Sequence, residues 1–251
     1  QGGILSPLLA NVALSVLDEH IAGLPGGPAT GSVERARRLR HGQPNFRLVR
    51  YADDWCLMVR GTRAQAEALR EDIAAVLATM GLRLSPDKTL ITHIDEGLDF
   101  LGWHIQRRRK RGTSCSYVYV HPSTKSVLAV KRKIKTLRRT VEPSQPLDDL
   151  LRRINSTLQG WAGYFRAGVS SATFSYLSHY TWQTVWRWLR RKHRKSTWKQ
   201  LRRRYCGGGW WPTTEDRMLI DLEKIGTTRY RYRGAVIPSP WPTPEEDTTA
   251  A

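Results

Sequence analysis

The sequence predicts an α+β fold: a mixed helix-and-strand segment to about residue 121, then a helical one. Short apolar runs punctuated by turn residues recur between Phe46 and Pro122, as paired strands require. From Ser123 onward, apolar residues instead recur at helical spacing over three long stretches. Charge divides along the same line. Residues 1–100 hold 11 Lys+Arg against 12 Asp+Glu, and residues 101–251 hold 30 against 10.

The opening stretch, QGGILSPLLANVALSVLDEH, starts on a glycine pair and becomes helical, with Leu8, Val12, Val16 and Leu17 on one stripe. Pro7 suits the first turn and Ser6 the N-cap. GLPGGPATGS (Gly23–Ser32) reads as a loop, and a basic stretch runs from it to His41. FRLVRYADDWCLMVRG (Phe46–Gly61) is a hairpin of two apolar runs. The clearest helix follows: Thr62 and Gln65 form a capping box, Leu69, Ile73, Val76, Leu77 and Met80 the apolar stripe, and Gly81 the stop. A Ser85-Pro86-Asp87 turn is expected between short strand-like runs. LDFLGWHIQ is a strand candidate, Arg107–Arg111 a basic hairpin turn, and SCSYVYVHP its returning strand.

The helical part opens with Val127, Val130, Ile134, Leu137 and Val141 on one face. A second helix carries Leu147, Leu150, Leu151, Ile154, Leu158, Trp161 and Phe165, where Gly160 and Gly163 are expected to permit close helix approach. A third, aromatic helix contains Trp182, Trp186 and Trp188, read mostly as packing residues, and WKQLRRRY is a possible fourth. The glycine triplet after Cys206 marks a loop, and PSPWPTPEEDTTAA a linker or tail.

At 251 residues and 40% hydrophobic content the chain can bury real cores. No apolar run is long enough to span a bilayer, so no membrane partner is expected. Three widely spaced cysteines, Cys56, Cys115 and Cys206, support neither a disulfide framework nor a zinc ribbon. A reducing, cytoplasmic setting is the default expectation. The chain starts on Gln1 rather than Met, which leads us to expect further sequence upstream. The basic, arginine-rich and aromatic second part points to nucleic acid.

In this setting the adjacent Asp53 and Asp54 stand out. An aspartate pair often serves a turn for its own backbone hydrogen bonds. Two carboxylates at a hairpin tip also suit magnesium, a hard cation that takes oxygen ligands, and nucleotidyl transfer commonly uses two such ions. YADD (Tyr51–Asp54), preceded by QGGILSPLLANV and followed in order by GLRLSPDKT and FLGW, resembles the palm of a reverse transcriptase. INSTLQGWAGYFRAG (Ile154–Gly168) and YTWQTVWRWLRRKH (Tyr180–His193) are similar to the thumb and maturase domain of group II intron-encoded proteins. The resemblance covers most of the chain to about residue 205.

The resemblance implies a partial palm over 1–121, a helical thumb/maturase RNA-binding domain over 122–205 and a basic C-terminal extension over 206–251. It implies RNA-directed DNA synthesis and binding of intron RNA for splicing and mobility. Asp53 and Asp54 are then Mg2+ ligands, and Tyr51 lies beside nucleotide and primer. Lys88 lies near the triphosphate, where a cation offsets charge on the leaving pyrophosphate. Gln1, Gly2 and Gly3 form the template and nucleotide loop, and Phe100, Leu101, Gly102 and Trp103 the primer grip. The family's third metal-binding aspartate belongs to a strand that does not precede Gln1 here, so this chain alone is not expected to polymerise. The implied partners are group II intron RNA, a DNA target or primer, and dNTPs. The cations expected on nucleic acid are Lys131, Arg132, Lys135, Arg138, Arg139, Arg190, Arg191, Lys192, Arg194, Lys195, Arg202, Arg203 and Arg204. Arg229, Arg231 and Arg233 are further candidates for DNA. Two alternatives stay open: a splicing cofactor that retains the palm only as scaffold, and a retron-type enzyme, against which the long helical region argues.

Overall fold

The computed structural model describes residues 5–228, as an α+β protein of two compact units, residues 1–101 and 102–251. The first unit contains helices α1 (Ser6–Gly23), α2 (Ser32–Arg40) and α3 (Arg63–Thr79) and an antiparallel hairpin of β1 (Asn45–Tyr51) and β2 (Asp54–Arg60). A short strand, β3 (Leu98–Phe100), comes last and pairs with the strand that follows it rather than with this hairpin. The second unit pairs β4 (Trp103–Arg109) with β5 (Ser116–Pro122). It then runs through α4 (Thr124–Thr140), α5 (Leu147–Phe165), α6 (Ser171–Lys192) and α7 (Trp198–Tyr205) to a 3-10 turn at Leu222–Lys224.

The first unit is built on alternation. Strand side chains alternate faces, so Phe46 and Leu48 of β1 and Trp55, Leu57 and Val59 of β2 point the same way. They pack on Leu14, Leu17 and Ile21 of α1 and Leu69, Ile73 and Leu77 of α3. The capping box forms as expected, with Thr62 Oγ1 accepting from Gln65 N–H. Gly81 (φ 72°) ends α3 in a Schellman arrangement: Gly81 N–H donates to the Ala78 carbonyl and Leu82 N–H to the Leu77 carbonyl.

Several sequence expectations need correction here. The stripe Leu8–Val12–Val16 faces solvent, with Leu8 59% and Val12 62% exposed, and only its Leu17 is buried. Helix α1 is apolar on more than one side, and the covered side is the Leu14–Leu17–Ile21 side. The N-cap is Leu5, and Ser6 is already helical. The basic stretch before His41 is a helix, α2. The residues around Ser85-Pro86-Asp87 form a turn closed by Lys88 and Thr89 N–H onto the Ser85 carbonyl, with no strand on either side. LDFLGWHIQ is split by consecutive left-handed residues, Leu101 (φ 48°) and Gly102 (φ 79°), the dihedral pair of a two-residue I′ turn. Arg107–Arg109 belong to strand β4, and the turn is Lys110–Cys115.

The second unit follows its helical stripes closely. Val130, Ile134, Leu147, Leu150, Leu151, Ile154, Leu158 and Phe165 are buried, with Trp161 half-buried against Phe165 and Phe174. Trp188 is fully buried and donates its indole N–H to the Val141 carbonyl at 2.8 Å. The glycines that matter are not Gly160 and Gly163, where a Cβ would meet nothing within 4 Å. Gly168 matters instead: a Cβ there would lie 2.3 Å from Trp103 Cζ3 and 2.7 Å from the Val120 carbonyl oxygen. This contact, with Val169 N–H donating to the Val120 carbonyl, docks the β4–β5 ribbon on the helices. The two compact units divide after Leu101.

The chain beyond Cys206 also joins this core. Cys206, Leu219 and Leu222 are buried. The Asn155 side chain acts as a clamp, its Nδ2 donating to the Met218 carbonyl and its Oδ1 accepting from Ile220 N–H. Ser178 Oγ accepts from Leu222 N–H. Among the described residues no helix is long and apolar enough to cross a membrane.

Candidate functional site

The Tyr51–Asp54 turn sits at the tip of the β1–β2 hairpin. Tyr51 pairs with Asp54 in the last rung, leaving Ala52 and Asp53 as the two-residue connection. Ala52 holds φ at 56°, a left-handed conformation that costs an L-residue roughly 1–2 kcal/mol. Strain of this kind is held in place by its surroundings. The holding group here is Arg50, which sequence reasoning missed.

Arg50 shares the core-facing parity of Phe46 and Leu48, so its stem runs into the unit and its side chain is only 15% exposed. Asp18 lies on the inward stripe of α1 between Leu17 and Ile21. Arg50 Nε donates to both Asp18 carboxylate oxygens at 3.0 Å, and its Nη2 donates to Oδ2. Arg50 Nη1 donates to Asn11 Oδ1 at 2.8 Å and to the Ala52 carbonyl at 3.0 Å. One guanidinium thus ties helix, strand and turn, and its hydrogen bond to Asp18 raises its pKa further. The signal was legible: an arginine in phase with two apolar strand positions needs a carboxylate, and the apolar stripe of α1 contains one.

Asp53, Asp54 and Tyr51 are exposed, Tyr51 to 67%. Two adjacent carboxylates at an open tip suit a hard divalent cation in donor type. Among the described residues no third His, Cys, Asp or Glu groups with them. Lys88 lies on its own exposed turn. Of the grip residues, Trp103 packs against Phe165 at 4.8 Å between ring centroids and against Tyr164 at 5.7 Å. The Gly102 carbonyl accepts from Ser123 N–H and Ser126 Oγ, both at 2.9 Å. Phe100 and Leu101 are partly buried. Gln1, Gly2, Gly3, Arg229, Arg231 and Arg233 lie outside the described residues.

The thirteen cations separate into two kinds. Lys131 is held by aromatic rings, its Nζ 4.9 Å from the Tyr176 centroid and 4.8 Å from that of Tyr180. Lys192 Nζ donates to the Pro143 and Gln145 carbonyls at 2.6 and 2.7 Å and so anchors the α4–α5 loop. Arg202 donates to the Gly209 carbonyl and stacks on Trp210 at 4.0 Å. These three are engaged within the fold, as is Arg204, whose guanidinium lies 5.4 Å from the Tyr205 ring centroid. Arg132, Lys135, Arg139, Arg190, Arg191, Arg194, Lys195, Arg203 and Arg204 are exposed, and Arg138 is partly so. Lys133, which the sequence reading passed over, is exposed as well. His193 accepts or donates across 2.6 Å to the Tyr205 hydroxyl, and burial, followed by Arg204 and Lys192, lowers its pKa.

Comparison with known proteins adds family context. Residues 1–105 match the family model for reverse transcriptase (RNA-dependent DNA polymerase), and residues 127–206 match that for the group II intron maturase-specific domain. The chain is 37% identical to Protein YkfC of Escherichia coli K12 over 140 residues, 50% of this chain and 37% of that protein. It is 28% identical to the group II intron-encoded protein LtrA of Lactococcus lactis over 197 residues, 61% of this chain and 31% of LtrA. A 91 kDa protein in the cob intron of Schizosaccharomyces pombe is 27% identical over 219 residues, 66% of this chain and 27% of that protein. The chain spans about a third of the length of the curated relatives it matches.

Proposed function

We propose, for a chain that belongs to the group II intron reverse transcriptase/maturase family, that it serves RNA-directed DNA synthesis and binds intron RNA to promote splicing and mobility. The first unit is then part of a polymerase palm and the helical unit a thumb and maturase domain. The observation that carries the polymerase reading is the braced turn: a strained, exposed tip with two carboxylates, fixed by Arg50 to α1. Asp53 is the principal metal ligand in this reading and Asp54 the second, with magnesium as the ion their oxygen chemistry suits. Bound there, the ion would supply charge stabilisation to the attacking and leaving oxygens of nucleotidyl transfer.

The chain's own residues position and shield. Arg50 holds the turn carbonyl, so the carboxylates keep a fixed direction when substrate arrives. Tyr51 offers an exposed aromatic face to nucleotide and primer, Lys88 a cation to the triphosphate, and Phe100–Trp103 a tight turn to grip the primer strand. The exposed cations of α4, α6 and α7 bind RNA phosphates, and arginine among them also suits bidentate pairing and base stacking.

The test is magnesium-dependent primer extension on an RNA template by the product of the natural gene, beside filter binding to intron RNA. Asp53→Ala is expected to abolish extension and leave RNA affinity intact. Extension at the wild-type rate would sink the metal assignment. Wild-type protein that binds and promotes splicing of intron RNA but never extends a primer would leave the splicing-cofactor reading alone.

A further inference from the structure

The β4–β5 ribbon carries a surface that the reading above leaves unused. Every residue from Arg107 to Val118 is exposed, so this end of the ribbon has neither face packed. It holds five consecutive cations, Arg107, Arg108, Arg109, Lys110 and Arg111, and no acidic residue occurs anywhere from Phe100 to Val141. The pairing register sets Arg107 opposite Val118, Arg108 opposite Tyr117 and Arg109 opposite Ser116. Arg107 and Arg109 therefore share one face of the ribbon, and Arg108 stands on the other beside Tyr117.

The tip is well defined. Lys110 N–H donates to the Cys115 carbonyl at 2.9 Å, Thr113 N–H returns to the Lys110 carbonyl, and Gly112 supplies a positive φ of 76°. Arg108 and Arg109 are each oriented through Nε, to Gln106 Oε1 and to the Thr113 carbonyl. Like charges crowded on one ribbon repel, and polyanionic phosphate relieves that repulsion. Cations on both faces match a groove with a phosphate wall on each side. The B-form major groove admits a two-stranded ribbon. The major groove of A-form RNA is too deep and narrow for side chains to read.

We propose that the distal β4–β5 ribbon is a duplex-DNA-binding arm that enters the major groove tip first, with Arg107–Arg111 on the flanking phosphates. The proposal rests on reading the chain as a nucleic-acid-binding protein, and it is independent of the acidic turn and of polymerisation.

The test uses Lys110→Ser with Arg111→Ser, both in the exposed turn outside the strand pairing, with the unfolding temperature as the check that the fold is intact. Binding to a fluorescent 24-base-pair DNA duplex and to an RNA hairpin of equal length is followed by anisotropy as salt is raised. Each B-DNA phosphate contact contributes about 0.9 to the slope of log affinity against log salt, so the double variant is expected to lower the duplex slope by about 2. The hairpin slope should change by less than about a quarter of that. Cys115, the exposed cysteine among the three, gives a second readout. A benzophenone maleimide on it should crosslink to the duplex in preference to the hairpin. An unchanged duplex slope overturns the proposal, as does an equal or greater loss on the RNA hairpin. DNA binding that persists while binding to polyglutamate is lost assigns the arm to an acidic protein and also overturns it. A wild-type chain that binds neither nucleic acid rejects the functional reading itself, a result distinct from failure of the arm alone.

Discussion

Replacing Asp18 by Asn tests whether the acidic turn is braced from α1. The substitution keeps shape and removes the charge that Arg50 faces. Arg50 donates three hydrogen bonds to that carboxylate from a side chain only 15% exposed, whereas Asp18 is 39% exposed. Two unit charges about 4 Å apart attract by about 4 kcal/mol at an effective dielectric near 20, and solvent at the half-open Asp18 side reduces this substantially. The guanidinium left behind is largely buried and loses its counter-charge, which keeps the loss from vanishing. We expect a loss of about 2 kcal/mol, which for a unit of this size lowers the unfolding temperature by about 8–16 °C. The fall should persist at high salt, because a partly buried pair is screened less than a surface pair. The functional consequence is separate. With Arg50 no longer fixed, its bond to the Ala52 carbonyl loosens, and primer extension should fall at temperatures where the variant is fully folded. The double-mutant cycle with Arg50→Gln isolates the pair, and a coupling energy above about 1 kcal/mol is expected. Asp18→Asn within about 0.5 kcal/mol of wild type, with extension unchanged, would refute the brace.

Four other outcomes follow from the second unit. Gly168→Ala would drive a methyl group into the Val120 carbonyl, which as backbone cannot yield, so a loss of about 2–3 kcal/mol is expected by chemical denaturation. Lys192→Met should destabilise by about 1–2 kcal/mol, because the Pro143 and Gln145 carbonyls lose their donor, with little effect on RNA affinity. Arg190→Ser with Arg191→Ser should do the reverse, lowering the salt slope of RNA binding while leaving stability within about 0.5 kcal/mol. Burial, and then Arg204 and Lys192, lower the pKa of His193, so the unfolded chain binds the proton more readily. The stability this contributes is complete above about pH 6.5 and is lost as pH falls towards the lowered folded value. Thermal unfolding followed from about pH 7.5 to about pH 5.5 should show this decline, and His193→Gln should flatten it.

The parts of the fold that were legible are those where one periodicity dominates a long segment. Helices α4 and α5 each present a single apolar face, and the stripe read from sequence is the stripe that is covered. Helix α1 shows the limit. Its apolar residues surround more than half the helix, and spacing alone does not say which side is covered; β1, β2 and α3 decide it. In residues 206–228 the sequence marks only a glycine loop opening a basic extension, because their structure is irregular. They are fixed by long-range bonds to Asn155 and Ser178, whose amide and hydroxyl carry no periodic signal. The FLGW motif was seen as a motif, but its turn depends on a leucine accepting φ 48°, which composition does not reveal.

Charge counting has a similar blind spot, and it bears on the nucleic-acid surface. A sequence total treats every lysine and arginine alike, yet Lys131, Lys192 and Arg202 sit on rings and carbonyls of their own unit. Each gains contacts within the fold that a phosphate would have to displace. Arg190 and Arg191, two residues and one residue before Lys192, are exposed at the end of the same helix. Neighbours in sequence thus divide between those held within the fold and those left exposed according to helix phase, since successive helical residues point about 100° apart. The same logic, with period two, explains why Arg50 braces the turn from inside while Tyr51, the next residue, stands in solvent on the opposite face. Roles in this chain therefore divide by phase as much as by residue type: the inward arginine fixes the geometry, and the outward side chains stay open to solvent.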